Sequence, residues 1–120
     1  MSKKTVVIGA STNSDRYSYK ATGKLKSYGH EVVPVGLKEG EIFGEHILTG
    51  QPEVQDVHTV TMYVGPQNQP SYYQYILGLH PKRVLFNPGT ENPEFQNQLE
   101  KAGVEVVEGC TLVMLGTGEY

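Results

Sequence analysis

Short apolar runs alternate with segments of helical spacing along the whole chain, and no other feature limits its fold so tightly. The runs are Thr5 to Ile8, Glu31 to Val35, His58 to Val64, Arg83 to Phe86 and Val104 to Val107. Each is rich in Val or Ile and bounded by Gly, Pro, Asn or His, as expected of parallel strands buried on both faces. Between them, Tyr17 to Tyr28 sets Tyr17, Ala21, Leu25 and Tyr28 on one helical face, with Gly29 as a C-terminal stop. Pro70 to Leu79 opens with a proline suited to a first helical turn, and Glu94 to Ala102 groups Phe95, Leu99 and Ala102 before Gly103. Strand and helix in this order predict βαβ units: a doubly wound, mostly parallel α/β sheet of five strands with helices on both faces. Ile42-Phe43-Gly44 and His46-Ile47-Leu48 are candidates for a short sixth strand at an edge.

With 120 residues, residues 1–120 fit one domain with a sizeable core. A formal net charge of −3 lacks the basic footprint of duplex nucleic-acid binding, so no nucleic-acid partner is expected. The single cysteine, Cys110, forms no intrachain disulfide, which fits a reducing compartment. Met1-Ser2-Lys3-Lys4 runs directly into a strand with no apolar leader, and no run approaches the roughly 18 apolar residues of a membrane helix. The expectation is a cytoplasmic protein with no membrane partner.

The first strand, Val6-Val7-Ile8, leads into Gly9-Ala10-Ser11-Thr12-Asn13-Ser14, a run of small, hydroxyl-bearing and amide residues. A pyrophosphate favours free backbone N–H groups and the positive end of a helix dipole. Gly9 permits an unusual backbone angle, Ala10 and Ser11 keep the wall thin, and Ser11, Thr12 and Asn13 bring side-chain donors. Ser14 or Asp15 can cap the helix that follows. The simpler alternative is a plain strand-to-helix turn. The position after the first strand favours a ligand, because ligands collect at the carboxyl ends of such strands. The strict Gly-x-Gly-x-x-Gly fingerprint is absent.

The end of the second strand narrows the nucleotide. An NAD site usually presents Asp or Glu there to hold the ribose hydroxyls. Here the strand closes with Val35-Gly36-Leu37-Lys38, and Glu39 follows only after the lysine. Lys38 suits an extra phosphate on the ribose, as in coenzyme A or NADP.

Gly9-Ala10-Ser11, then Arg16-Tyr17-Ser18-Tyr19-Lys20, then Gly29-His30-Glu31-Val32-Val33-Pro34-Val35 together resemble the small stand-alone CoA-binding domain proteins. These are similar to the amino-terminal domain of the succinyl-CoA synthetase alpha subunit. The resemblance spans the chain through Ile42-Phe43-Gly44, Asn87-Pro88-Gly89-Thr90-Glu91-Asn92 and Ala102 to Val107 before Cys110. Gly36-Leu37 replaces the family's usual Asn-Pro, and Phe86-Asn87 stands where Trp or Met followed by Gln is common. The resemblance implies a Rossmann-like fold and coenzyme A as ligand. It implies Gly9, Ser11 and Thr12 at the pyrophosphate, beside Ala10 and Asn13 of the same turn, with Arg16 and Lys20 as charged partners. Val35, Gly36, Leu37 and Lys38 would meet adenosine, Tyr63 to Pro66 would stand beside the third-strand crevice, and Pro88 and Gly89 belong to the loop after the next-to-last strand.

No catalytic set is read from the residues. Cys110 is more simply a small buried hydrophobe than a thiol facing the ligand. His30, His46, His58 and His80 lack zinc spacing, so no metal is expected. Tyr17, Tyr19, Tyr28, Tyr72, Tyr73 and Tyr75 would stack on adenine, line a partner surface or, more simply, cover the sheet with their hydroxyls wet. The expected function is binding of CoA or an acyl-CoA without catalysis. The alternatives are an NAD(P)-binding oxidoreductase, a subunit or fragment of an acyl-CoA ligase, or a domain acting through protein contacts. A protein partner or homo-oligomer is left open.

Overall fold

A computed structural model describes residues 2–120; Met1, where the domain expected from the sequence begins, lies outside the described residues. The apolar runs form five parallel strands: β1 (Thr5–Ala10), β2 (Val32–Gly36), β5 (Thr59–Met62), β6 (Arg83–Phe86) and β7 (Glu105–Glu108). Their order is β2-β1-β5-β6-β7. The chain leaves β1 in one direction and returns to the sheet on its other side, so β1 and β5 flank the point where the winding reverses.

Helices cover both faces, as expected. Because side chains alternate along a strand, Val6, Ile8, Val84 and Phe86 face one layer, where they meet Ile76 of α2 (Tyr73–Leu79) and Phe95 and Leu99 of α3 (Pro93–Lys101). Val7 and Leu85 face the other, against Leu25 of α1 (Tyr17–Ser27) and Leu115 of α4 (Thr111–Thr117). This second layer is partly polar. Arg83 is buried there, its Nη1 donating to the main-chain oxygen of Tyr120 at 2.9 Å and its guanidinium 4.5 Å from the Tyr120 ring.

The structure corrects four details. Among the described residues no sixth strand joins the sheet: β3 (Gly40–Ile42) and β4 (Glu45–Ile47) pair antiparallel as a separate hairpin. Phe43 and Gly44, both with positive φ (51° and 78°), make the two-residue turn that strand twist favours. Only Leu48 then bridges to β2, at Val35. The buried face of α1 is Ser18, Ala21, Thr22 and Leu25, leaving Tyr17 and Tyr28 exposed, since small side chains let the helix lie close on the sheet. The expected helix from Pro70 starts as 3-10 turns, Pro66–Asn68 and Pro70–Tyr72, and becomes α-helical only at Tyr73. The fourth helix, α4, is an addition to the elements read from the sequence.

Candidate functional site

The carboxyl ends of β1 and β5 open into a cavity of about 690 Å³ at the winding reversal. That volume lies within the range of small-molecule sites, and the place is where open α/β sheets bind ligands. Its floor and first wall are Gly9, Ala10, Ser11, Thr12 and Arg16; Leu37 and Lys38 come from the end of β2. The opposite wall follows β5 and comprises Tyr63, Val64, Gly65, Asn68, Ser71 and Tyr72.

Gly9 makes this crevice possible. Its φ is +100°, and a Cβ there would sit 3.1 Å from the Tyr63 carbonyl carbon and oxygen. Any side chain would therefore be strained and press on the neighbouring strand end. After it, Asn13 donates its backbone N–H to Ser11 Oγ at 3.0 Å, and Asp15 donates its own to Asn13 Oδ1 at 3.0 Å. Arg16 N–H donates to Asn13 O at 3.0 Å. These local bonds curl the chain into the start of α1. Arg16, the N-cap residue, makes no side-chain cap bond, and the first turn of α1 holds no acid. The helix thus leaves first-turn N–H groups without a side-chain partner at the rim, the arrangement that suits an anion.

Charge agrees with this geometry. Arg16 and Lys38 stand in the lining, and no Asp or Glu does. A chain with a net charge of −3 therefore presents a locally positive cavity. A second, larger depression of about 1140 Å³ lies at the opposite end of the sheet, beside His58 and α2. Its lining mixes Lys4 and Lys82 with Glu31, Glu53 and Asp56, and so selects no sign of charge.

A family model described as a CoA binding domain matches residues 3–116. The chain belongs to the CoA binding domain family. A crystal structure of an uncharacterized protein is 52% identical to this CoA-binding domain, with 100% of this chain and 99% of that one covered and a TM-score of 0.98. A conserved hypothetical protein from Pyrococcus furiosus is 32% identical over 92% of this chain and 97% of its own, with a TM-score of 0.81. A structure from Thermus thermophilus is 25% identical, with 98% and 91% covered and a TM-score of 0.84. No curated protein matches the chain.

Of the residues expected at the site, the CoA-binding domain brings together Gly9, Ala10, Ser11, Thr12, Arg16, Leu37, Lys38 and Tyr63 to Gly65. The others lie outside the cavity lining. Asn13 is engaged in the turn, and Lys20 lies over the Tyr17 ring at 5.3 Å. Val35 is buried in the core, and Gly36 packs so closely on the Ala10 carbonyl oxygen that a Cβ would overlap it. Pro88 and Gly89 lie in the loop after β6, where Gly89 N–H donates to Glu91 Oε1 at 2.9 Å.

Tyr63 turns its hydroxyl inward beside Thr61 and Thr111; the hydroxyl is buried with no hydrogen-bond partner among the described residues, and burial pushes its pKa up to about 12. Cys110 is half-buried at the start of α4, outside the cavity lining. Among the described residues no group of His, Cys, Asp and Glu is placed to hold a metal ion, and no helix is long and apolar enough to cross a membrane.

Asn68 and Ser71 are lining residues that sequence reasoning missed; Tyr72 was read first as a sheet-covering tyrosine. The available signal was Gly65-Pro66 followed by Pro70, which punctuates a tight loop directly after the strand at the winding reversal. Tyr73 and Tyr75 do cover the core: Tyr73 stacks on Phe95 at 4.3 Å, and Tyr75 donates to Pro52 O at 2.6 Å.

Proposed function

We propose that this domain is a binding module for coenzyme A or an acyl-CoA. The observation that carries this reading is the charge of the cavity: Arg16 and Lys38 with no carboxylate, at the winding reversal, in a chain of net charge −3. In this reading the pyrophosphate lies on the Gly9–Thr12 turn, which left-handed Gly9, close against the Tyr63 main chain, shapes just before the N-terminus of α1. Arg16 pairs with the same phosphates through its planar fork. Lys38 takes the phosphate on the ribose, and exposed Leu37 offers apolar surface to adenosine. The wall from Val64 to Tyr72 borders the path of the pantetheine arm.

The test is calorimetric titration with CoA, dephospho-CoA, ATP, NAD and NADP, joined to mass spectrometry of natively purified protein. CoA should bind tightest. Absent CoA binding together with clear binding of NAD(H) or NADP(H) would overturn the reading in favour of an oxidoreductase.

A further inference from the structure

We infer that Gln69, which does not touch the cavity, is the positioning residue of this site. Its functional consequence rests on the CoA reading above. Gln69 is 0% exposed. Its Nε2 donates to Val64 O and to Thr90 O, both at 2.8 Å, and its Oε1 accepts from Asn92 Nδ2 at 2.9 Å. Both amide protons and the amide oxygen are thus engaged. A wholly buried amide is costly unless satisfied, and a satisfied one fixes a single arrangement of the groups it bonds.

Those groups belong to two separate loops. Val64, Gly65, Asn68, Ser71 and Tyr72 form the far wall of the cavity, yet no strand ladder holds them. The wall is a pair of 3-10 turns, with Gln69 between them. On its inner side Gln69 ties it to Thr90 and Asn92, in the loop after β6. On its outer side the bond from Gln51 Nε2 to Ser71 O, at 3.2 Å, is exposed. Asn92 extends the tie: its Oδ1 accepts from Phe95 N–H at 3.2 Å, and its Nδ2 also donates to Tyr73 Oη at 2.8 Å. The start of α3, the loop after β6 and the cavity wall therefore move as one unit. The segment from Pro88 to Asn92 acts on the ligand through Gln69 and not by contact.

The experiment compares wild type with Gln69→Glu and Asn92→Ser by amide hydrogen exchange and by CoA titration. In Gln69→Glu a carboxylate near pH 8 would face the Val64 and Thr90 carbonyls, whereas the protonated acid near pH 5.5 restores one donor. Near pH 8, exchange across residues 64–72 should quicken at least about tenfold after correction for intrinsic rates, with Val6 to Ile8 still protected. CoA affinity should fall by about tenfold and partly recover near pH 5.5, a recovery absent from wild type. Asn92→Ser keeps an N-cap oxygen but loses the Nδ2 bonds, so it should shift both readouts in the same direction by a smaller factor. It carries the test if Gln69→Glu does not fold. Unchanged exchange in the wall overturns the proposal, and so does quickened exchange with unchanged CoA affinity. If wild type itself binds no CoA, the CoA reading fails, and the exchange data alone decide whether Gln69 holds the wall.

Discussion

Asn87 Oδ1 accepts the backbone N–H of Thr111 at 2.9 Å, so the residue that follows β6 holds the first residue of α4. Its Nδ2 donates to Thr61 Oγ1 at 2.7 Å and to Met62 O at 2.8 Å. One buried amide thereby joins two strand ends to a helix start. Asn87→Ala would leave the Thr111 N–H buried and unpaired, at a cost of about 2–3 kcal/mol, visible in urea unfolding. CoA affinity, measured well below the melting temperature, should stay within about twofold, because the Asn87 side chain bonds Thr61, Met62 and Thr111 and not the wall from Val64 to Tyr72.

Gly9→Val should separate fold from site. The left-handed backbone and the Tyr63 main chain oppose any Cβ, which predicts a stability loss of roughly 1–3 kcal/mol. Calorimetry should show a protein that still melts cooperatively but binds CoA at least about a hundredfold more weakly, since a side chain pressing on Tyr63 displaces the turn that would hold the phosphates. Retained affinity would remove the turn from the binding site.

Arg16 and Lys38 should divide the ligand's charges between them. Arg16→Ala is expected to weaken CoA and dephospho-CoA alike, by about tenfold at low salt. Lys38→Ala should weaken CoA by about tenfold and leave dephospho-CoA nearly unchanged, because only CoA carries the phosphate on the ribose. An equal loss for both ligands in the Lys38 variant would place that phosphate elsewhere.

Stability should fall on acidification. His30 and His58 are both held below the ordinary histidine pKa of 6.5, first by burial and then by nearby positive charge: Lys3 and Arg83 for His30, Arg83, Lys3 and Lys82 for His58. The folded state takes up these protons less readily than the unfolded chain. The contribution is therefore complete above about pH 6.5 and is lost as pH drops from there toward the lowered folded values. At His30 protonation also breaks a bond, because Nδ1 accepts the Lys3 backbone N–H at 2.9 Å. Thermal melts between about pH 7.5 and 5 should show a falling midpoint, less steep in His30→Gln.

The sheet was legible because buried parallel strands write themselves as apolar runs, and β6, Arg83–Phe86, matches its run residue for residue. Helix α4 was not. Thr111 to Thr117 is short, contains Thr, Val and Gly, and has no side-chain cap. Its order comes from Asn87 and from burial of Leu115, contacts remote in sequence. The hairpin was misread as an edge because Ile42 and Ile47 are buried like strand residues, while the reversal rests on the positive φ of Phe43, a residue that seldom adopts it. In the cavity, the half built from Gly9 to Arg16 is local and readable. The half from Val64 to Tyr72 takes its shape from Gln69, whose partners Thr90 and Asn92 stand some twenty residues away in sequence, and no periodicity announces that.

The two halves of the cavity differ in what a change of length would do. A residue inserted at Gly9 or Ala10 would fall within β1 and so disturb the centre of the sheet. The stretch from Pro66 to Tyr72 stands outside every strand, and residues added near Asn68 would leave all five registers in place. On the proposed CoA reading, descendants of this domain can lengthen or shorten the room for the distal part of the ligand while inheriting the Gly9–Thr12 turn intact, so the two ends of the ligand are open to selection separately.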